Sequence, residues 1–242
     1  MRRNSVKGFY DKGLPLNESQ FPERLQSVEA RIELAAARSG RKRSEITLVA
    51  VSKKFSAAAI REAYSAGLRQ FGENYVQEFA DKKPELAGLA DAQFHLIGHL
   101  QSNKARLAAS LFQIVETVDS VRLLQRLDSA AQEKNTTIEV LFEIKLSEEQ
   151  SKTGAPPEEI PALIDAAANC SNVAATGLMT MPPWSENPET SRPYFRQLTD
   201  LARRHKLPKL SMGMSNDFEV AIEEGTTIIR VGTALFGRRP KL

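Results

Sequence analysis

Apolar positions at Phe21, Leu25, Val28, Ile32 and Ala35 follow a four-three spacing, which draws one apolar stripe along a helix. Pro22 suits the first turn of that helix and Gly40 ends it. Beyond Gly40 the period changes. Short runs rich in β-branched and aromatic residues alternate with longer amphipathic stretches, and strands are expected over 47–52, 69–72, 93–98, 112–118, 138–145, 174–180, 209–212 and 227–231. The stretches between them carry helix start or stop signals at Ser56 and Gly67, at Ser120, at Pro156-Pro157-Glu158, and at Ser215-Asn216 followed by Gly225.

Strands alternating with helices imply parallel pairing through right-handed crossovers, and eight such units close most naturally on themselves. The expectation is an α/β protein with a single (β/α)8 barrel of the TIM type over 19–242, an extra N-terminal helix and no C-terminal β domain. A doubly wound open sheet is the alternative, but no Gly-x-Gly-x-x-Gly follows the first strand to mark a dinucleotide site. Residues 1–18 mix charge, Gly and Pro without periodicity and read as a flexible arm. The 242 residues suit a fold that takes about 250.

Composition narrows the class. With 41% hydrophobic and 26% charged residues the chain can bury a sizeable core, which argues against a disordered protein. The formal charge of +3 contains no run of five basic residues, so no nucleic-acid partner is expected. Its densest cluster, Arg41-Lys42-Arg43, reads as a solvated helix end. Cys170 is the only cysteine, which rules out an intrachain disulfide and favours a reducing compartment. No apolar run follows Met1-Arg2-Arg3-Asn4 and no segment reaches membrane-spanning length, so a cytoplasmic protein without a membrane partner is expected.

In such barrels the chemistry gathers where strands end and βα loops begin. Lys53 leaves the apolar run Leu48-Val49-Ala50-Val51-Ser52 at the mouth, where partial desolvation favours an uncharged amine able to attack an aldehyde. A lysine snorkelling to water explains the same position. Lys54 competes for the role, and strand alternation would let only one of the two face the mouth. Ser215-Asn216 after the seventh strand and Gly232-Thr233 after the eighth offer hydroxyls, backbone N–H groups and a helix N-terminus to a phosphate; either loop alone is also an ordinary helix cap. Arg230, inside Ile228-Ile229-Arg230-Val231, needs a partner or a ligand, and Glu73 is a candidate ion pair. His95 and His99 stand four apart, but Gly98 argues against a helix there and no third ligand is evident, so no metal is expected and His95 reads as a satisfied core residue.

Taken together, Ala50-Val51-Ser52-Lys53, Phe71 to Glu78, His95 to Lys104, Ser151-Lys152-Thr153-Gly154, Gly177 to Met181, Met212 to Asp217 and Arg230 to Gly237 resemble the pyridoxal 5′-phosphate (PLP) homeostasis protein family, whose members are alanine racemase N-terminal-domain-like. The resemblance implies that Lys53 holds PLP as a Schiff base and that Ser215, Gly232 and Thr233 hold its phosphate. It also sets Arg230 against the pyridine nitrogen and Asn74 near the ring. Lys54 departs from the Thr usual after the Schiff-base lysine, and residues 1–18 extend beyond the usual start.

The family implication is a PLP carrier, monomeric or weakly dimeric, that buffers, protects or delivers the cofactor to PLP-requiring apoenzymes and is not itself an enzyme. An amino-acid racemase of the alanine racemase type is the alternative, and it would need a second base on the far face of the cofactor. A Schiff-base aldolase barrel would also use a lysine and a phosphate site, but on a later strand.

Overall fold

A computed structural model describes residues 20–149 and 153–238. The expected arm over 1–18 and the Ser151-Lys152 half of one motif lie outside the described residues. Eight strands, β1 (Thr47–Val51), β2 (Gln70–Glu73), β3 (Gln93–Leu96), β4 (Ile114–Val118), β5 (Ile138–Glu143), β6 (Val173–Met179), β7 (Lys209–Ser211) and β8 (Ile228–Val231), close into a barrel in sequence order. All pairs are parallel, and β8 returns to β1 over Thr47↔Ile228 to Ala50↔Val231. The eight expected strands are all present. Several stop earlier than expected because the chain turns into its loop: β1 ends before Ser52, β3 before Ile97 and β5 before Ile144.

Helices α2 (Ala57–Ser65), α3 (Val76–Lys82), α4 (Ala105–Leu111), α5 (Val121–Glu133), α6 (Ile160–Ala168), α7 (Arg192–His205), α8 (Phe218–Glu223) and α9 (Thr233–Phe236) follow the strands, one per unit. Ser56 and Ser120 cap α2 and α5 by accepting the N–H groups of Ala59 and Leu123. The extra helix α1 (Phe21–Arg38) precedes β1, and Gly40 beyond its end takes φ +69°.

Since α9 is a single turn, α1 packs against both α8 and α9 and covers the seam between the last unit and the first. Phe21 packs on the ring of Phe236 at 5.3 Å, and Arg31 pairs with Glu219 at 2.6 Å. The Arg41-Lys42-Arg43 cluster is more than a solvated helix end. Arg41 Nη1 donates to the Ile222 and Thr226 carbonyls at 3.1 and 2.7 Å, satisfying carbonyls around the α8 C-terminus, while Arg43 pairs with Glu29.

The main core lies between strands and helices, built from residues such as Phe71, Phe79, Phe94, Leu124, Phe142 and Phe195. A smaller cluster of Val49, Ile114, Leu141, Met179 and Ile228 comes from five different strands and fills the lumen. Barrel lumens are usually stacked with branched aliphatic side chains. This one also encloses His95, Glu116, Ser211 and Arg230, all buried. Among the described residues no helix is long and apolar enough to cross a membrane.

Candidate functional site

At the end of β1 the chain turns at once, the Phe55 N–H donating to the Ser52 carbonyl at 3.0 Å. Lys54 takes a left-handed conformation (φ +65°) and gives its backbone N–H to Glu78 Oε1 at 2.6 Å. Strand alternation was expected to separate the two lysines, but both lie beyond the strand and the turn separates them instead. Lys54 is exposed, whereas half-buried Lys53 donates from Nζ to Asn74 Oδ1 at 3.1 Å. Asn74 is held in place by Gly98 at the end of the neighbouring unit. A Cβ on Gly98 would sit 2.3 Å from the Asn74 carbonyl oxygen, so only glycine lets the two segments lie this close.

Arg230 does not pair with Glu73. That carboxylate lies under the β1 exit, where it takes the Ser52 hydroxyl at 2.9 Å and Lys82 Nζ at 3.0 Å. Arg230, 4% exposed, donates from Nη1 to Ser211 Oγ at 2.5 Å and from Nη2 to the Thr180 carbonyl at 3.0 Å, with Glu116 Oε2 at 3.8 Å. Because a guanidinium has five N–H donors, it keeps capacity for a ligand after these ties.

The two loops expected to bind phosphate do come together. Gly213 adopts φ +92°, and a Cβ there would come within 2.9 Å of Phe218 Cα, so the β7 loop folds back tightly on α8. Asp217 fixes the turn, taking the Met214 N–H at 2.7 Å and the Ser191 hydroxyl at 2.8 Å. Ser215 Oγ accepts the Ala234 N–H at 3.3 Å, which joins this loop to Gly232-Thr233 and leaves the Ser215 proton for another acceptor. One expectation fails. Ser215-Asn216 does not open the helix, since α8 begins only at Phe218 and is six residues long. Asp217 draws the intervening backbone into a turn, so Ser215 lines the cavity beside Thr233 from a turn and not from a helix start.

Lys53, Asn74, Ser215, Arg230, Gly232 and Thr233 all line one cavity of about 320 Å³. One further side of it is Met181-Pro182-Pro183-Trp184-Ser185, the loop after β6, of which the sequence reading reached only Met181. Trp184 is the chain's only tryptophan and is 73% exposed at the rim. The signal available was a large aromatic behind two prolines at a strand end. Asn216 Nδ2 ties this loop to the opposite one through the Ser185 carbonyl at 2.9 Å. Two wider hollows of about 670 Å³ touch no C-terminal strand end.

On the far side of the mouth, Glu143 is buried. Its Oε1 takes the Thr153 hydroxyl at 2.8 Å, and its Oε2 has no partner among the described residues. Burial pushes this carboxyl above its ordinary range, against the downward pull of the Thr153 hydrogen bond. A raised pKa means that the folded state holds the proton, so stability from this group is present at low pH and is lost as pH rises through the folded pKa. Glu143→Gln should therefore gain stability over wild type as pH rises above the ordinary carboxylate range, by at most about 1.4 kcal/mol per pH unit. Denaturant midpoints of both proteins from pH 4 to 8 would check this, and a difference independent of pH would contradict it.

The histidines do not converge on a metal. Both ring nitrogens of His95 are engaged, Nδ1 with Glu116 Oε1 at 2.6 Å and Nε2 with Gln70 Oε1 at 2.8 Å, while His99 Nδ1 lies 3.7 Å from Asp119. No group of three or more His, Cys, Asp or Glu suited to a metal occurs among the described residues. The half-buried Cys170 thiol donates to the Ala166 carbonyl at 3.4 Å, and burial pushes its pKa up, which is the behaviour of a structural residue.

Comparison with known proteins identifies the family. The sequence profile described as "Alanine racemase, N-terminal domain" matches residues 24–240. Proteins named pyridoxal phosphate homeostasis protein from Aquifex aeolicus and Pseudomonas aeruginosa are each 43% identical, over 90% and 91% of this chain and 97% and 96% of their own. PipY of Synechococcus elongatus, solved with PLP bound, is 39% identical and superposes with a TM-score of 0.78, covering 90% of this chain and all of its own. An alanine racemase of Clostridium difficile shares the fold at 12% identity and a TM-score of 0.67, with 58% of its length covered. The motifs at the strand ends and the extent of these matches have one explanation: the chain belongs to the alanine racemase N-terminal domain family and, within it, to the pyridoxal phosphate homeostasis proteins.

Proposed function

We propose that this chain binds PLP and serves in its homeostasis, buffering, protecting or delivering the cofactor, with Lys53 as the point of covalent attachment through a Schiff base. The observation that carries the reading is the convergence of a lysine amine, a buried arginine and two hydroxyl-bearing loops on one cavity of about 320 Å³. The donor set fits the group. An anionic aromatic aldehyde needs an amine, hydrogen-bond donors and little negative charge around it, and the one carboxylate in the lining among the described residues, Asp217, is already committed to Met214 and Ser191.

In this reading Asn74 orients the Lys53 amine, and the Ser215 and Thr233 hydroxyls with the Gly232 backbone hold the phosphate. Arg230 faces the ring nitrogen. When bound, the cofactor supplies an electrophilic aldehyde carbon and an electron-withdrawing ring. Arg230 limits the second property, because a guanidinium stays protonated and donates to a nitrogen that therefore remains unprotonated. That favours holding PLP over driving chemistry with it, and apoenzymes that require PLP are the natural recipients.

Borohydride reduction of the PLP-loaded protein should leave one phosphopyridoxyl group on the peptide containing Lys53, read by mass spectrometry. A label elsewhere, or none, would overturn the assignment. As a carrier, the loaded protein should also give no sustained D-isomer from L-amino acids in deuterated water. Exchange of the α-proton without inversion fits Lys53 acting alone on one face. Inversion well above that of free PLP would restore the racemase.

A further inference from the structure

A row of buried polar side chains crosses the barrel lumen, and the cofactor reading gives most of it no role. It starts with Gln70 at the N-terminal mouth and passes through His95 on β3, Glu116 on β4 and Ser211 on β7 to Arg230 on β8. The contacts are continuous: Gln70 to His95 at 2.8 Å, His95 to Glu116 at 2.6 Å, Glu116 to Ser211 at 2.5 Å and Ser211 to Arg230 at 2.5 Å. From His95 onward every member is at most 4% exposed. A buried ion pair is seldom worth more than well-packed aliphatic side chains of the same volume. Stability alone therefore does not account for a carboxylate and a guanidinium where barrels normally stack Val, Ile and Leu.

We propose that Glu116, backed by His95, is a positioning residue that sets the orientation and the net charge with which Arg230 meets a ligand's ring nitrogen. The proposal rests on the PLP reading above. Ser211 gives the row its direction, since its one proton goes to Glu116 Oε2 while its oxygen accepts from Arg230 Nη1. With Nη2 tied to the Thr180 carbonyl at 3.0 Å, the guanidinium is held at two points and cannot rotate in its plane. Burial pushes the Glu116 carboxyl up, but His95, Arg230 and Ser211 together pull it further down, and it stays ionised. A full negative charge thus lies 3.8 Å behind the guanidinium and offsets part of its charge. His95, with both ring nitrogens engaged, fixes Glu116 Oε1 and leaves Oε2 for this task.

The test compares two ligands on the full chain: PLP, and a PLP analogue with C–H in place of the ring nitrogen. Glu116→Gln keeps the shape and removes the charge. It should weaken PLP about tenfold and shift the absorption maximum of the Lys53-bound cofactor, while the analogue's dissociation constant stays within about twofold. Ser211→Ala, a smaller perturbation that cuts the row at one link, should show the same selectivity should Glu116→Gln fold poorly. On an Arg230→Lys background, Glu116→Gln should have little further effect on PLP. Equal weakening of both ligands would mean that Glu116 only supports the fold, and no change with either would mean that it does not act on Arg230. Each result overturns the proposal. Wild type that neither binds PLP nor takes the borohydride label would instead sink the cofactor reading, and this inference with it.

Discussion

Lys53→Ala is expected to take borohydride labelling by PLP from stoichiometric to none while leaving measurable reversible affinity. The loss should be complete because neighbouring amines are committed elsewhere. Lys54 is turned away by its left-handed backbone, and Lys82 is bound by Glu73 at 3.0 Å and Glu78 at 2.6 Å. The surviving affinity is expected to come from Arg230 and the loops carrying Ser215 and Gly232-Thr233, which the substitution does not touch. Quenching of Trp184 by added PLP would measure it, since the only tryptophan of the chain lies on the rim of the same cavity. Stoichiometric labelling of the variant at Lys54 or Lys82 would show that the attachment point is wrong.

The second large effect is expected from Ser215→Ala combined with Thr233→Ala. A hydrogen bond to a charged phosphate is worth roughly 1.5 to 3 kcal/mol, so losing two should weaken PLP on the order of a hundredfold or more. Pyridoxal, which has the aldehyde and ring but no phosphate, should lose little. Removing the Ser215 hydroxyl also frees the Ala234 N–H, which then faces solvent or ligand without its present acceptor. Titration of both ligands into both proteins gives the contrast, and equal weakening of PLP and pyridoxal would remove the phosphate role.

Local burial is what a sequence records best, and the barrel was legible for that reason. Most strands advertise themselves by an apolar run, although β2 (Gln70–Glu73) and β7 (Lys209–Ser211) hold a single large apolar side chain each. The polar residues at strand ends brought Lys53, Ser215, Gly232 and Thr233 to the mouth, while Asn74 came with the family resemblance and Arg230 as a charge inside a strand. Partners were harder to see. Arg230 was visible as a charge in an apolar strand, but its ties are to Ser211 and Thr180, and behind them Glu116, 95 residues from Ser211 along the chain. Glu116 carried the same signal, a charge within Ile114-Val115-Glu116-Thr117-Val118, and its pairing with His95 depends on strand neighbourhood rather than spacing. The turn at Lys53-Lys54 and the late start of α8 were hidden for another reason. Both depend on an acidic side chain, Glu78 or Asp217, capturing a backbone N–H, and sequence period does not report such captures.

The seam that α1 covers has a bearing on how the protein is made. Ala50 on β1 pairs with Val231 on β8, about 180 residues later, and a ribosome adding about 5 to 20 residues per second takes from about 9 to 36 seconds to cover that distance. Throughout that interval the β1 edge lacks its β8 neighbour, and the apolar stripe of α1, with Phe21, Val28 and Ile32, lacks the α8 and α9 surfaces that bury it. Closure joins the two ends of the sequence, the kind of non-local pairing that slows folding. The nascent chain therefore stays open to aggregation at least until its last unit has left the ribosome, so synthesis sets a lower bound on its most vulnerable period and the slow closure of the barrel adds to it.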